Sequence, residues 1–244
     1  MHGRVICHHA PPVTIGPNAS AVLPDLVGHY GPRVAVVTDP VVAEQAFFPQ
    51  LLELLRARRY LVSIFQDISP DPPFTAVEAC RSQLEEFGPH CVVGIGGGSV
   101  LDATKVGAML AVQKCEIPSV IGIDRVPGRG FPTVLVPTTA GTGSEVTPIA
   151  VLTDEKRDVK RGIVSPHLVA DHAIVDPKLC LSLPPWPTAY TGMDALTHAI
   201  EAYTSTRSVP LVDDFALAAI RSIVQYLPRA VADGSDLTAR EAMS

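Results

Sequence analysis

The chain has 244 residues, a length that allows one large hydrophobic core or two cores of unequal size. Hydrophobic residues make up 47% of the sequence and charged residues 18%, a balance typical of globular proteins and not of disordered ones. The formal net charge of -6 argues against a nucleic-acid partner, because phosphate binding requires a basic surface. No apolar run reaches the ~18 residues needed to cross a bilayer, so we expect no membrane partner.

The cysteines indicate a reducing compartment. They are scattered, odd in number and form no C-x-x-C pair, which argues against a disulfide framework. Residues 1–9 contain no apolar signal core. We therefore expect a cytoplasmic protein whose cysteines fill the core as small apolar side chains. They are Cys7, Cys80, Cys91, Cys115 and Cys180.

The first two-thirds of the chain alternates strand and helix patterns. Four short apolar runs predict strands, at residues 34–38, 61–65, 91–95 and 133–136. Helical patterns lie between them, at residues 51–59, 74–87 and 99–112. Because the strands are apolar throughout, this alternation predicts an α/β fold with a parallel, Rossmann-like sheet covered by helices on both faces.

The pattern changes at a proline cluster, residues 183–187. No strand pattern follows it, and two long helical patterns occupy residues 188–203 and 209–226. The second is apolar on several sides, which predicts a mostly buried helix. We therefore place a boundary near residue 183, with an α/β domain at residues 1–183 and the start of an all-α domain at residues 184–244.

A glycine turn is the first candidate binding element. Gly96, Gly97, Gly98 and Ser99 connect the third predicted strand to the next helix. Glycines allow a ligand to approach the backbone, and a helix N-terminus offers free N–H groups to an anion, so this turn could hold a pyrophosphate. A tight turn without a ligand is the alternative, and Asp102 in the first helical turn suits the helix dipole as a structural residue.

Two further segments offer groups to a nucleotide. Asp39 ends the first predicted strand, where a carboxylate can bind ribose hydroxyls and repel a 2′-phosphate, which would favour NAD over NADP. The alternative is that Asp39 and Pro40 only start a turn. Residues 137–145 form a run of threonines, glycines and a serine whose hydroxyl and amide groups could contact a polar ligand.

Asp194 and His198 lie four residues apart in the predicted helix 188–203. Side chains at this spacing share one helical face, so both could bind the same divalent metal ion. Two ligands are too few to complete such a site. For an isolated pair at this spacing, a surface ion pair is the simpler interpretation.

Three segments together resemble the iron-containing (group III) alcohol dehydrogenases. They are residues 96–105, 137–145 and 192–202, and their order and spacing agree with that family. The resemblance covers essentially the whole chain. It implies a dinucleotide-binding domain at residues 1–183, the start of a metal- and substrate-binding helical domain at residues 184–244, and an active site in the cleft between them.

The resemblance also implies an activity. Members of this family are NAD-dependent alcohol dehydrogenases or aldehyde reductases in which a divalent metal binds the substrate oxygen. The implied cofactors are NAD and Fe²⁺, with Zn²⁺ as an alternative, and the implied partner is a small alcohol or aldehyde. Relatives often self-associate, so a homo-oligomer is compatible with the resemblance.

Individual residues take roles from the resemblance. Gly97, Gly98 and Ser99 match the pyrophosphate loop, and Asp102 matches a residue near the nicotinamide. Asp71 stands where many relatives carry Asn. The remaining implied cofactor contacts are Thr138, Thr139 and Thr142 on the adenosine side, Asp39 for NAD preference, and Lys160 at the ribose.

Asp194 and His198 match the first two of four metal ligands, and no catalytic residue besides the ligands is implied. The other two are histidines further along the family sequence than Ser244, and neither His167 nor His172 stands in a matching motif. Three interpretations stay open: a metal-dependent NAD-linked dehydrogenase, which we favour, a non-catalytic dinucleotide-binding fragment, and a metal-free reductase of the maleylacetate reductase kind.

Overall fold

The computed structural model describes residues 10–244, which form two β-sheets followed by a helical C-terminal part. Within these residues the strands are β1 (Val13–Ile15), β2 (Arg33–Val37), β3 (Leu61–Phe65), β4 (Cys91–Gly96), β5 (Gly122–Ile123), β6 (Thr133–Pro137), β7 (Ile149–Asp154), β8 (Val159–Val164) and β9 (His172–Val175). The helices are α1 (Leu23–Gly28), α2 (Pro40–Ala43), α3 (Phe47–Ala57), α4 (Phe74–Phe87), α5 (Gly98–Gln113), α6 (Ile117–Val120), α7 (Pro185–Thr204), α8 (Pro210–Ala232) and α9 (Leu237–Met243).

The larger sheet has six strands in the order β1-β9-β6-β4-β2-β3, and all neighbouring strands are parallel. The four strands predicted from apolar runs are β2, β3, β4 and β6, and the predicted parallel sheet is confirmed. Strands β4 and β6 are buried along their whole length. Such burial is why they read in the sequence as continuous apolar runs instead of alternating ones.

Alternate residues of β2 enter different cores. Val34 and Val36 pack in a cluster with residues of α1 and α3. Ala35 and Val37 pack in a second cluster with residues of α4 and α5. Because successive side chains of a strand point to opposite faces, the sheet lies between two helical layers, each with its own core.

The second sheet, with the order β5-β8-β7, was not predicted. β7 and β8 are antiparallel, and β5 pairs with β8 in parallel. Strand β8 exposes Val159, Lys160 and Gly162 and buries only Ile163. A strand with so little buried surface has no apolar run to reveal it.

The helical part begins at α7, and the prediction that helices alone follow the proline cluster is confirmed for the described residues. A Cβ atom at Gly192 of α7 would stand 2.3 Å from Cδ1 of Leu227 in α8, so a glycine allows these two helices to pack closely. Of the helices within residues 10–244, none combines the length and apolarity needed to cross a membrane.

The prediction that the second long helix is mostly buried is wrong. In α8 the buried residues are Ala216, Ile223, Leu227 and Ala230. Other apolar side chains of this helix are largely exposed, namely Leu211 (57%), Phe215 (68%) and Val224 (62%). Within residues 10–244 the helix packs against α7 and α9, so only the stripe that faces these two helices is covered.

Arg240 joins α9 to the start of α7. Its buried guanidinium group donates to Thr188 Oγ1 at 2.8 Å, to the carbonyl oxygen of Leu183 at 2.9 Å and to that of Gly234 at 3.0 Å. Burial lowers the pKa of this guanidinium. These contacts connect chain segments on both sides of residue 183, where the domain boundary stays a prediction.

The cysteines that the structure describes are free. Cys80, Cys91 and Cys180 are buried and Cys115 is partly buried, whereas Cys7 lies outside the described residues. Burial raises the pKa of Cys80 and Cys91 to about 12 and that of Cys180 to about 11. Such thiols stay protonated and serve as small core side chains, as the sequence predicted for them.

We expect Arg240→Met to lower the free energy of unfolding by about 2–3 kcal/mol, because the buried hydroxyl of Thr188 and two partly buried carbonyl groups lose their donor. Arg229→Met is a matched control. Arg229 is half-exposed and pairs with Asp236 at 2.8 Å, so its loss should cost at most about 1 kcal/mol. Urea unfolding of both variants measures the difference. Equal effects would contradict a special role for Arg240.

Candidate functional site

The predicted cofactor residues follow the carboxyl ends of neighbouring parallel strands. Asp39 follows β2, Gly97 follows β4, and Thr138 follows β6. From β2 the chain continues to β3 on one side and then returns to form β4 on the other side of β2. This reversal opens a crevice at the carboxyl edge, where ligands of open α/β sheets bind. Asp39 and Gly97 lie at that crevice.

The glycine turn and the threonine loop form one wall of the crevice. Gly97 is the extended N-cap residue of α5 and gives the helix no side-chain cap. A Cβ atom at Gly98 would stand 2.6 Å from Cγ2 and 2.8 Å from Oγ1 of Thr142. One at Gly97 would stand 3.4 Å from Thr139. The loop therefore packs directly on the turn, and residues without a Cβ leave the first N–H groups of α5 accessible.

Thr138 anchors this wall to the sheet. Its backbone N–H donates to the carbonyl oxygen of Gly96 at 3.0 Å, and the residue is buried. Thr142, by contrast, is exposed at the outer end of the loop. The three threonines thus occupy graded positions from the buried end of β6 to the surface, and their cofactor contacts stay a prediction.

Asp39 caps a short helix. Its Oδ1 atom accepts a hydrogen bond from the Val42 N–H at 2.8 Å, and Pro40 is the first residue of α2. The interpretation as a turn start is therefore correct for the backbone. A carboxylate has two oxygens with several acceptor positions, so the cap leaves capacity for ribose hydroxyls.

Asp102 contacts three protein groups. Its Oδ1 atom accepts from Ser144 Oγ at 2.5 Å and lies 3.1 Å from Lys105 Nζ, and its Oδ2 atom accepts from the Val151 N–H at 2.8 Å. These contacts join α5 to the end of the threonine loop and to β7. The prediction that Asp102 lies in the first helical turn and suits the helix dipole is wrong, because α5 begins at Gly98 and has no acidic residue in its first turn. The structural role of Asp102 is instead to join these elements, while its role near the nicotinamide stays a prediction.

Lys105 completes this cluster, and the sequence reasoning missed it. Its fully buried ammonium group also donates to the carbonyl oxygens of Ser144, at 2.9 Å, and Ile149. Burial lowers the pKa of Lys105, and the charge of Asp102 opposes that shift. The i,i+3 spacing of Asp102 and Lys105 was the only local signal of the pair.

Lys160 and Ser99 are brought together by Asp71. Lys160 on β8 places Nζ 2.7 Å from Asp71 Oδ1, and the Asp71 N–H donates to Ser99 Oγ at 3.1 Å. Ser99 lies in the first turn of α5, whereas Lys160 belongs to the other sheet. The mouth of the crevice therefore includes the β7–β8 hairpin.

The predicted metal pair lies on α7. Asp194 Oδ2 and His198 Nδ1 are 3.6 Å apart, and both side chains are about half-exposed, at 44% and 56%. Within residues 10–244, no three His, Cys, Asp or Glu side chains are grouped closely enough to hold a metal ion. His172 instead bonds Thr14 on the neighbouring strand β1 at 2.8 Å. The described residues thus offer two of the four ligands that a metal such as zinc usually takes, and the metal site stays a prediction.

The threonine loop contacts α7 next to this pair. A Cβ atom at Gly141 would stand 2.7 Å from the carbonyl oxygen of Thr191 and 3.0 Å from its Cβ. Thr191 lies three residues before Asp194, which is just under one helical turn. The loop that forms one wall of the crevice therefore contacts α7 within one turn of Asp194.

Comparison with known proteins agrees with this geometry. Residues 10–177 match the family described as iron-containing alcohol dehydrogenase. Residues 188–244 match the C-terminal part of the Fe-containing alcohol dehydrogenase family. The chain belongs to the iron-containing alcohol dehydrogenase family.

Individual relatives illustrate the match. Long-chain-alcohol dehydrogenase 1 of Geobacillus thermodenitrificans is 42% identical over 211 residues, which are 85% of this chain and 53% of that protein. A crystal structure of 1,3-propanediol oxidoreductase superposes with a TM-score of 0.93 at 37% identity, covering 98% of this chain and 63% of the other. The structure of sulfoacetaldehyde reductase from Bifidobacterium kashiwanohense in complex with NAD⁺ superposes with a TM-score of 0.90 at 34% identity. The match covers 99% of this chain and 64% of the other. This chain spans about half the length of the curated relatives it matches.

We expect Gly98→Ala to displace the threonine loop, because the new methyl group would overlap Thr142. Thr142→Gly in the same chain removes the overlapping atoms and should restore most of the lost stability. Gly162→Ala is the control, since a Cβ there meets nothing within 4 Å. Thermal unfolding of the single and double variants measures this. A double variant as unstable as Gly98→Ala would show that the two residues do not pack as described.

Proposed function

We propose that these residues form the NAD-binding part and the first half of the metal site of an NAD-dependent alcohol dehydrogenase or aldehyde reductase. The observation that carries the proposal is the contact between the threonine loop and α7. It joins a crevice suited to a dinucleotide with a helix that presents a carboxylate and an imidazole on one face.

The crevice suits the pyrophosphate and the two riboses. Uncapped N–H groups at the start of α5 attract an anion, and the glycines let it approach. In our proposal Gly97, Gly98 and Ser99 hold the pyrophosphate. Thr138, Thr139 and Thr142 contact the adenosine side, Lys160 reaches a ribose, and Asp39 accepts from ribose hydroxyls. Asp102 supports the wall near the nicotinamide.

Asp194 and His198 would hold a divalent metal, Fe²⁺ in our proposal with Zn²⁺ as the alternative. Such a cation polarises a substrate oxygen and lowers the pKa of an alcohol hydroxyl, while the nicotinamide carries the hydride. The part of this chain is to bind and orient. The loop contact at Thr191 fixes α7 beside the crevice, so that a small alcohol or aldehyde bound near Asp194 would face the cofactor.

A second candidate function is dinucleotide binding without catalysis by these 244 residues alone. It is supported by the ligand count, because residues 10–244 contain no group of three or more metal-binding side chains. Both candidate functions use the same cofactor crevice. They differ only in whether α7 holds a metal ion that takes part in catalysis.

The cofactor proposal predicts a preference that depends on the charge of Asp39. Asp39→Asn keeps the helix cap, because Asn caps as well as Asp, but removes the charge that would repel a 2′-phosphate. We expect the ratio of NADPH to NADH affinity to rise by about tenfold or less, because the substitution removes the repulsion between a single carboxylate and the 2′-phosphate. Fluorescence titration of the purified chain measures both affinities.

Asp25→Asn is the matched charge control. Asp25 pairs with Arg58 at 2.8 Å at the amino edge of the sheet, away from the crevice. Its neutralisation should leave the affinity ratio unchanged. If wild type binds neither dinucleotide, the proposed function is wrong; if it binds both equally, only the role of Asp39 is wrong.

The metal proposal predicts that substitutions at the two metal ligands lower cation affinity without changing NADH affinity. Asp194→Ala and His198→Ala should each weaken any Zn²⁺ binding that calorimetry detects in the wild-type chain, because each change removes one of the two ligands on α7. Neither change should alter NADH affinity by more than about twofold, since the cofactor crevice lies at the sheet edge. Asp214→Ala on α8 is the control carboxylate. Alcohol oxidation that survives a chelator would instead favour a metal-free reductase.

A further inference from the structure

Helix α7 begins without a side-chain cap that would fix its position. Its N-cap residue, Pro184, makes no capping hydrogen bond, and Pro185 and Pro187 in the first turn have no N–H group to donate. A proline at the first position favours a helix, but it forms no hydrogen bond that ties the helix to the rest of the fold. The position of α7 relative to the sheet must therefore be set by other residues.

Arg240 of α9 supplies hydrogen bonds at this helix start. Its guanidinium group donates to Thr188 Oγ1, in the fourth residue of α7, at 2.8 Å, and to the carbonyl oxygen of Leu183, just before the helix, at 2.9 Å. Thr188 Oγ1 donates in turn to the carbonyl oxygen of Pro184 at 2.9 Å. Because Thr188 and Arg240 are both buried, water does not readily replace these bonds.

Arg240 is itself held in place. Asp236 caps α9 and pairs with Arg229 of α8 at 2.8 Å. The same helix packs against residues 177–180, which follow β9 of the larger sheet. Arg240 thus belongs to a helix that is anchored on two sides, and its guanidinium group is a fixed reference point for the start of α7.

The guanidinium group also lies next to the contact between the threonine loop and α7. Arg240, Ala140 of the loop and Thr191 of α7 line one cavity of about 10 Å³, so these groups are closely packed. Thr191 follows Thr188 by three residues on the same helical face, and it is the residue that Gly141 approaches. A displacement of the helix start would therefore displace the contact with the loop as well.

We propose that Arg240 is a positioning residue that sets where α7 stands relative to the cofactor crevice. It acts through Thr188 and not through contact with cofactor or metal. Asp194 and His198 lie further along the same helix, so the bonds that fix the helix start also fix both side chains relative to the crevice. This inference rests on the proposed function, and it adds to it the group that aligns the two binding regions.

Trp186 makes the position of α7 measurable. It is the only tryptophan of the chain, lies in the first turn of α7 and is 76% exposed. Indole emission overlaps the absorption of NADH, so energy transfer from Trp186 to bound NADH depends steeply on the distance between them. Because the threonine loop and α7 are already in contact, release of the helix start increases their separation. We therefore expect Arg240→Met to lower the transfer efficiency at saturating NADH.

The affinity for NADH should change much less than the transfer. The glycine turn at the start of α5 is untouched by the substitution, so we expect the affinity of Arg240→Met to stay within about twofold of wild type. Fluorescence titration of the 244-residue chain, at a temperature below the unfolding transition of each variant, measures both quantities.

Variants of Thr188 test the route by which Arg240 acts. Thr188→Val keeps the shape of the side chain but removes the acceptor for the guanidinium group, and it should lower the transfer efficiency as Arg240→Met does. The double variant should lower it no further than the stronger single variant, because both changes break the same hydrogen bond. Thr188→Ser retains the hydroxyl and should behave like wild type. The milder Thr188→Val keeps the inference testable if Arg240→Met does not fold.

Leu55→Ala controls for lost stability alone. Leu55 is fully buried in α3, in the core on the side of α1, and its truncation should lower the melting temperature without lowering the transfer. Unchanged transfer in Arg240→Met and Thr188→Val would overturn the inference, as would an equal loss in Leu55→Ala or additive losses in the double variant. In each of these cases wild type still binds NADH, and the proposed function stands. A wild-type chain that does not bind NADH would overturn both.

Discussion

The buried ammonium group of Lys105 is the interaction on which the candidate site depends most. It contacts the carboxylate of Asp102 and the carbonyl oxygens of Ser144 and Ile149, so a single charge holds α5, the end of the threonine loop and the start of β7 together. Loss of one partner of a buried ion pair costs about 3–5 kcal/mol, because the other charge is left without compensation. The arrangement is therefore rigid but sensitive to substitution.

The position of the second sheet follows from this cluster. Asp102 accepts the Val151 N–H, which docks β7 on α5. Because β8 pairs with β7 along its length, Lys160 is carried to the mouth of the crevice, directly across from Thr153. The side chain reaches Asp71, 89 residues earlier in the sequence. The buried ammonium group of Lys105 thus determines the position of the exposed ammonium group of Lys160 at the mouth of the crevice.

The sequence predicted those strands and turns that are encoded by consecutive residues. Strands β2, β3, β4 and β6 could be predicted because burial on both faces leaves continuous apolar runs, and the glycine turn could be predicted because close packing excludes side chains there. Strand β8 could not, since it is largely exposed and strongly charged. The pairs Lys160–Asp71 and Asp102–Val151 could not either, because they arise from the packing of two sheets and no spacing encodes them. The exposed face of α8 was mispredicted because apolar content alone does not specify which side meets a neighbour.

The threonine loop and α7 contact each other mainly through backbone atoms. At Gly141 the loop approaches the carbonyl oxygen of Thr191 so closely that a Cβ atom would stand 2.7 Å from it. Main-chain atoms have no rotamers through which this close approach could relax, so a side chain at position 141 would push the loop and α7 apart. If the dinucleotide binds the loop and a metal binds Asp194, this contact sets the distance between cofactor and substrate. Side-chain changes elsewhere in the cleft would then alter affinity, whereas a change at Gly141 would alter geometry, and hydride transfer depends steeply on geometry.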